Sequence, residues 1–215
     1  MKILVVIPAF NEAKRISRVL SDVKKEGFNF IVVDDGSKDK TWLVAEKYTP
    51  FVFRHPINLG KGAALKTGCE AGFKMGADAI IIMDSDGQHK ASDLNKFAKA
   101  LRNNDIVFGA RDFGKIPFIR LLGNRLITTV VRLLFGIRVR DILCGFKAFT
   151  KKAYRKINWN SIGYSVETEI VAMTGQNKLA NCEVSIATVY YDKFKGLTVE
   201  QGIGIVFDTI RFKLK

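Results

Sequence analysis

The sequence predicts an α/β fold, a mostly parallel central sheet flanked by helices. Three observations carry that expectation. Short apolar runs rich in β-branched residues recur along the first half, segments of helical spacing separate them, and clusters of polar turn residues follow them. A wholly apolar run such as Ala79–Met83 suits a strand covered on both faces, as parallel strands are when helices lie above and below.

Taken in order, Ile3–Ile7 is the first strand. Ile16, Val19, Leu20 and Val23 then repeat at i, i+3, i+4, i+7 and predict a helix. Phe30–Val33 is the second apolar run, and Trp42, Ala45 and Lys47 fall in a second helix. Ala64–Met75 and Leu94–Leu101 are two further helices, placed before the runs Ala79–Met83 and Asp105–Phe108. Pro117 opens an amphipathic helix with Phe118, Leu121, Leu122, Leu126, Val130, Leu133 and Leu134 on one broad face, and Gly136 ends it. Ser165–Gly175 reads as a helix and Glu183–Tyr191 as a strand. Ile203, Val206, Phe207, Ile210 and Leu214 form a last helical stripe, with Arg211, Lys213 and Lys215 beside it. With no repeat and no linker, residues 1–215 read as one domain of two halves, 1–110 and 111–215.

The chain of 215 residues carries 35 Lys/Arg against 21 Asp/Glu, a formal charge of +14. Such an excess predicts a polyanionic partner: nucleic acid, anionic lipid or a phosphorylated ligand. It is uneven, with 17 basic and 13 acidic residues in 1–110 but 18 and 8 in 111–215. Three cysteines without C-x-x-C spacing argue against a disulfide framework or a thiolate zinc site and favour a reducing compartment. Two histidines exclude a His-rich metal centre. The apolar start is too short for a secretory signal, and Arg120, Arg125 and Arg132 interrupt the most apolar long window, so no membrane span is expected.

In open α/β sheets ligands bind beyond the carboxyl ends of the strands. Four polar clusters lie at such positions: Pro8-Ala-Phe10-Asn-Glu12, Asp34-Asp35-Gly-Ser-Lys-Asp39, Asn58-Leu-Gly-Lys61-Gly62 and Asp84-Ser-Asp86-Gly-Gln88-His89. Each alone could be a turn with a helix cap; together they point to one crevice. Asp84 and Asp86 can both reach one hard divalent cation, Mg²⁺ or Mn²⁺, and Gln88 can add a third oxygen. The glycine fingerprints of dinucleotide-binding and P-loop proteins are absent.

VVIPAFNEAKRI, VVDDGSKDKT, NLGKGAALKTG and IIIMDSDGQH, in that order, resemble the nucleotide-sugar half of family 2 inverting glycosyltransferases. GNRLITTVVRLLFGIRVRDILCGFKAFTKKAY and the later Glu167-Thr-Glu169 resemble the dolichyl (polyprenyl) phosphate sugar synthases of that family. The resemblance implies a GT-A, Rossmann-like fold with C-terminal acceptor-side helices. It also implies metal-dependent transfer of glucose or mannose, from UDP-glucose or GDP-mannose, to a dolichyl or polyprenyl phosphate. CGFKAF is similar to the glucosyl branch and DSDGQH to the mannosyl branch, so both sugars stay open.

By position, the resemblance sets Pro8, Phe10 and Glu12 around base and ribose and Asp35 at the base edge. It places Lys61 near the nucleotide, and Asp84, Asp86 and Gln88 at the metal and diphosphate. Arg111, Arg120 and Lys147 face phosphates, with Asp141 and Glu169 nearby. Asp86, Arg120, Asp141 and Lys147 form the implied catalytic set.

A phosphate acceptor is already anionic near neutral pH, its second pKa being about 6. It needs cations to hold it in line, for which Arg111, Arg120, Arg125, Arg132 and Lys147 are candidates. A hydroxyl acceptor would need a carboxylate base, and Asp141, Glu167 and Glu169 are available. A lipid acceptor implies a peripheral position on the inner membrane face, in the cytoplasm. The helix from Pro117 and the C-terminal helix offer apolar stripes flanked by positive charge that either lie on an anionic leaflet or pack on the core. A nucleic-acid-binding protein is the rival that the charge suggests, but no helix-turn-helix, RNP-like or zinc motif supports it, and no nucleic-acid partner is expected. A catalytically silent membrane-surface protein is the other. His89 reads as a surface residue.

Overall fold

The structure is a computed structural model that describes residues 1–112, 118–163, 165–187 and 199–213. Its elements follow the chain as β1 (Ile3–Ala9), α1 (Ile16–Lys25), β2 (Asn29–Asp34), α2 (Thr41–Glu46), β3 (Val52–Arg54), α3 (Lys61–Lys74) and β4 (Ala79–Ile82). There follow a 3-10 turn (Ala91–Asp93), α4 (Leu94–Ala100), β5 (Ile106–Arg111), α5 (Phe118–Phe135), β6 (Lys147–Thr150), α6 (Lys151–Ile157), α7 (Val166–Gln176), β7 (Asn181–Ile186) and α8 (Val199–Lys213).

The seven strands form one sheet in the order β3-β2-β1-β4-β6-β5-β7. All pairs are parallel except those of β6, which runs antiparallel to both β4 and β5. That reversal matters for the site. Lys147, the first residue of β6, pairs with Ile82 at the end of β4 and with Phe108 midway along β5. The sheet runs continuously through both halves of the sequence.

Two apolar cores sandwich the sheet. On one face Leu4, Val6, Ile31, Val33, Ile80 and Ile82 pack with α3, α5, α6 and α7; on the other Val5, Ile7, Val32 and Ile81 pack with α1 and α4. The alternation within each strand is the period of two that a doubly covered strand requires. The predicted stripe of α1 is buried as read. The cysteines are unpaired, with Cys69 and Cys144 buried.

The sequence reading sets Asn58–Gly62 beyond a strand to which it gives no bounds, and it has no strand at Lys147–Thr150; the two are Val52–Arg54 and Lys147–Thr150. At three and four residues these are too short to show a period, and the second begins with a lysine. The strand expected to reach Tyr191 ends at Ile186, and residues 188–198 lie outside the described set.

The helix expected from Pro117 is present from Phe118, and Gly136 ends it at φ 68°. Its buried side is Asn124, Ile127, Val131 and Phe135. Leu126 and Leu133, assigned by the sequence to the apolar face, are exposed. This helix is apolar around most of its circumference, so the pattern alone could not set its rotation. In α8 Ile205 and Thr209 are buried while Phe207 and Ile210 are exposed. Pro117, Leu214 and the side chains of Phe118, Arg120, Leu121, Leu122, Ile203 and Val206 lie outside the described residues.

Candidate active site

The loops after β1 and β2 are laced together. Asn11 takes a left-handed conformation at φ 55°. Its amide donates to Ser37 Oγ at 2.8 Å, and its own Oδ1 accepts from the Lys38 amide at 2.9 Å. The amide of Glu12 donates to Thr41 Oγ1 at 2.9 Å and that of Ala13 to Asp39 Oδ2 at 3.1 Å. Pro8 and Glu12 are buried beneath this seam and Phe10 stands exposed above it.

Asp35 is buried, and its carboxylate faces the next loop. Oδ1 lies 2.7 Å from His55 Nδ1 and accepts from the Leu59 amide at 3.0 Å, while Oδ2 accepts from the Gly60 amide at 2.8 Å. It thereby draws residues 55–60 against the end of β2. Gly60 sits at φ 97°, where a Cβ would also overlap the Ile162 carbonyl oxygen, so glycine is required there.

Lys61 follows at the start of α3. Its ammonium lies 2.6 Å from Asp84 Oδ1 and 2.6 Å from Glu167 Oε1. One cation thus joins the end of β4 to the start of α7. Burial would raise the Asp84 pKa, but Lys61 outweighs it and the carboxyl is held at about 2. Burial would lower that of Lys61, and the two carboxylates push it up instead. The other Glu167 oxygen, Oε2, is buried with no hydrogen-bond partner among the described residues.

Asp86 completes the loop after β4. Its Oδ1 accepts from the Gln88 amide at 2.9 Å. Burial, and then the charge of Asp84, raise its pKa, which places a second carboxylate within the field of the first. His89 is not at the surface as the sequence suggested. It is buried, its ring stacks on Phe146 at 5.0 Å, and its Nδ1 is 4.0 Å from Asp84 Oδ2. Burial depresses its pKa to about 4 against the opposing pull of Asp84, so the ring is neutral. Asp86, Gly87 and His89 also line a cavity of about 550 Å³ whose far wall is Lys14, Arg15 and Arg18 of the α1 region.

On the β5 side Asp141 is fully buried. It accepts from Arg111 Nε at 2.6 Å, from a terminal guanidinium nitrogen at 2.8 Å and from the Arg111 amide at 3.2 Å. Lys147 was expected to face phosphate. Instead it has no exposed surface, and its ammonium donates to the carbonyls of Ile142, at 3.0 Å, and Cys144. Glu169 is committed to backbone, accepting the amides of Asn160 at 3.0 Å and Ser161 at 2.7 Å. It holds the segment whose Ile162 carbonyl accepts the Gly62 amide at 2.7 Å. Glu167, which the sequence offered only as one of three possible bases, is the α7 carboxylate in contact with Lys61.

Asp84, Asp86 and Gln88 present hard oxygens, the donor type that Mg²⁺ and Mn²⁺ accept. Among the described residues no group of three or more His, Cys, Asp or Glu side chains closes a cage. The two carboxylates fit an ion that fills its remaining positions with phosphate and water oxygens.

The family model described as Glycosyl transferase family 2 matches residues 4–159. An uncharacterized protein of Methanocaldococcus jannaschii, MJ1222, is 36% identical over 99% of this chain and 93% of its own. A Methanococcus voltae protein named UDP-N-acetylglucosamine–dolichyl-phosphate N-acetylglucosaminyltransferase is 30% identical over 99% of this chain and 96% of its own. Among solved structures, glucosyl-3-phosphoglycerate synthase from Mycobacterium tuberculosis with Mg²⁺ and UDP superposes with a TM-score of 0.76 at 20% identity, covering 99% of this chain and 78% of that one. The architecture is that of the GT-A glycosyltransferases. The chain belongs to glycosyl transferase family 2, and it is a glycosyltransferase.

Proposed function

We propose that the protein transfers a hexose or N-acetylhexosamine from a nucleoside-diphosphate sugar to a dolichyl or polyprenyl phosphate, with inversion. The observation that carries this reading is the Asp84–Lys61–Glu167 bridge beside Asp86, set at the strand ends next to the Arg111–Asp141 pair. UDP-N-acetylglucosamine is the donor named for the M. voltae relative, so it joins UDP-glucose and GDP-mannose as a candidate.

Pro8, Phe10, Glu12 and the loop shaped by Asp35 receive the nucleoside. Lys61 stands where a donor diphosphate meets Asp84. Asp86, with Asp84 and Gln88, would hold Mg²⁺ or Mn²⁺, which would offset charge on the departing diphosphate. An acceptor phosphate oxygen forms the new bond to the anomeric carbon as the bond to the diphosphate breaks, and the electron pair leaves with the diphosphate. Arg111, and Arg120 at the start of α5, orient the acceptor phosphate. No proton has to be removed, which suits a site whose Asp141 is committed to Arg111.

A hydroxyl acceptor is the second reading, favoured by one observation. Glu167 keeps a buried oxygen without a hydrogen-bond partner among the described residues, in reach of the same crevice, and could take a proton.

The lipid acceptor also implies a membrane surface. No helix among the described residues is long and apolar enough to cross one. We infer a peripheral attachment, through α5 and α8, to the inner leaflet. Their exposed side chains include Leu126 (58%), Leu133 (78%), Phe207 (69%) and Ile210 (45%), with Arg125, Arg132, Arg211 and Lys213 exposed among them. A place in protein glycosylation follows from the same acceptor.

The deciding experiment supplies Mn²⁺, a polyprenyl phosphate in detergent and each labelled donor in turn, with EDTA and Asp86→Ala controls. Label entering the organic phase from one donor supports the reading and names the sugar. No lipid label from any donor, with nucleoside diphosphate still bound, overturns the acceptor and leaves the hydroxyl reading.

A further inference from the structure

Lys147 is a charged residue with no exposed surface beneath the site, and its position suits an apolar side chain better. It sits between β4 and β5 in the middle of the sheet, where an apolar side chain is the usual occupant. An ammonium withdrawn from water has to be compensated by hydrogen bonds. Its bonds go to backbone, the carbonyls of Ile142 and Cys144, and the Phe108 ring centre lies 6.0 Å from Nζ.

Those carbonyls belong to the turn that joins Asp141 to Phe146. One end of the turn is fixed to Arg111 through the Asp141 carboxylate. Near the other end is Gly145. A Cβ there would overlap Asp84 Oδ2 and come within 2.8 Å of Lys61 Nζ. The backbone of this turn is therefore the wall against which Asp84 and Lys61 rest, and the Lys147 ammonium ties that wall to the sheet.

We propose that Lys147 is a positioning residue for donor binding, acting through the 142–145 backbone on Asp84 and Lys61 and touching no phosphate. The inference rests on the donor reading above and deepens it. An ammonium carries three donors and can hold two carbonyls at once. An apolar residue at the same position would leave both carbonyls buried and unbonded. Gly145 would then be free to move off Asp84, and the carboxylate and lysine would lose their backing.

The test compares wild type, Lys147→Met and Lys147→Gln, whose amide can still donate to one carbonyl. Three quantities are measured: the thermal midpoint without ligand, amide hydrogen exchange across residues 141–146, and calorimetric affinity for UDP and for GDP, each with Mn²⁺. In Lys147→Met we expect faster exchange at 142–146 and at least a tenfold loss of nucleotide affinity, with Lys147→Gln intermediate in both. A lowered midpoint with unchanged nucleotide affinity would overturn the proposal and leave an ordinary buried lysine. So would lost affinity with unchanged exchange, which would mean direct action on the ligand. Should Lys147→Met not fold, Lys147→Gln is judged by the same outcomes. Wild type that binds neither nucleotide overturns the donor reading instead, and the exchange data still decide whether Lys147 ties the turn.

Discussion

The guanidinium of Arg111 grips the carboxylate of Asp141 with two nitrogens, at 2.6 and 2.8 Å, and Asp141 has no exposed surface. A carboxylate so held steers an arginine; it is badly placed to accept a proton from substrate. Asp141→Asn should therefore lower stability by about 3–5 kcal/mol, since half of a buried pair is lost. At saturating acceptor it should keep kcat within about tenfold of wild type, whereas loss of a general base costs about 10²–10⁴. Steady-state kinetics with denaturant melts separates the two roles.

Gly145→Ala tests the contact between the 142–145 turn and Asp84. The added Cβ would overlap Asp84 Oδ2. Transfer should fall by about 10² or more, because small displacements of positioned groups are costly. The thermal midpoint should move far less than the rate. Activity near wild type would mean that Asp84 does not need its present position.

Asp39 links acidity to the shape of the nucleoside loop. Burial would raise its carboxyl above the ordinary value of 3.8, but the Thr41 hydroxyl and the Ala13 and Thr41 amides outweigh that and lower it. A folded-state pKa below the unfolded one gives stability that is complete above about pH 4 and is lost as pH falls through the lowered value. Asp39→Ala should cost less than about 1 kcal/mol at neutral pH, because solvent screens an exposed carboxylate. The gap to wild type should narrow below about pH 3. A gap that stays constant with pH would remove the carboxylate from the account.

Leu133 and Phe207 support no core, so their replacement isolates surface binding. The pair Leu133→Asp and Phe207→Glu should leave the melting curve within about 2 °C of wild type. Co-sedimentation with phosphatidylglycerol-rich vesicles should drop by about fivefold or more, and wild-type binding should weaken as salt is raised. Wild type that stays in the supernatant at every salt concentration would sink the membrane assignment.

Much of this architecture is legible in the chain because the first half obeys simple periods. Ile3–Ile7, Phe30–Val33 and Ala79–Met83 are apolar runs closed by turn residues, and all three are strands. The crevice loops were found for the same reason. Glu167 and Glu169 could not be told apart. Residues two apart on a helix point about 200° from one another, so only one can face the crevice, and α7 is buried on most sides. Lys147 misled because the resemblance that set it toward phosphate says nothing of burial, while the pairing that buries it comes from strands about 40 to 70 residues upstream. The same limit hid the rotation of α5: its leucines outnumber the places its neighbours can cover.

The reversed β6 has a consequence for biosynthesis. β4 and β5 are consecutive strands, yet they are kept apart by a strand made only after α5. A nascent chain therefore carries β4 with one bare edge, and β5 with no partner at all, until Lys147–Thr150 has left the ribosome. Unpaired edges recruit other chains. Expression of residues 1–110 alone should yield aggregates, and chaperone dependence should be greatest while α5 is being synthesised.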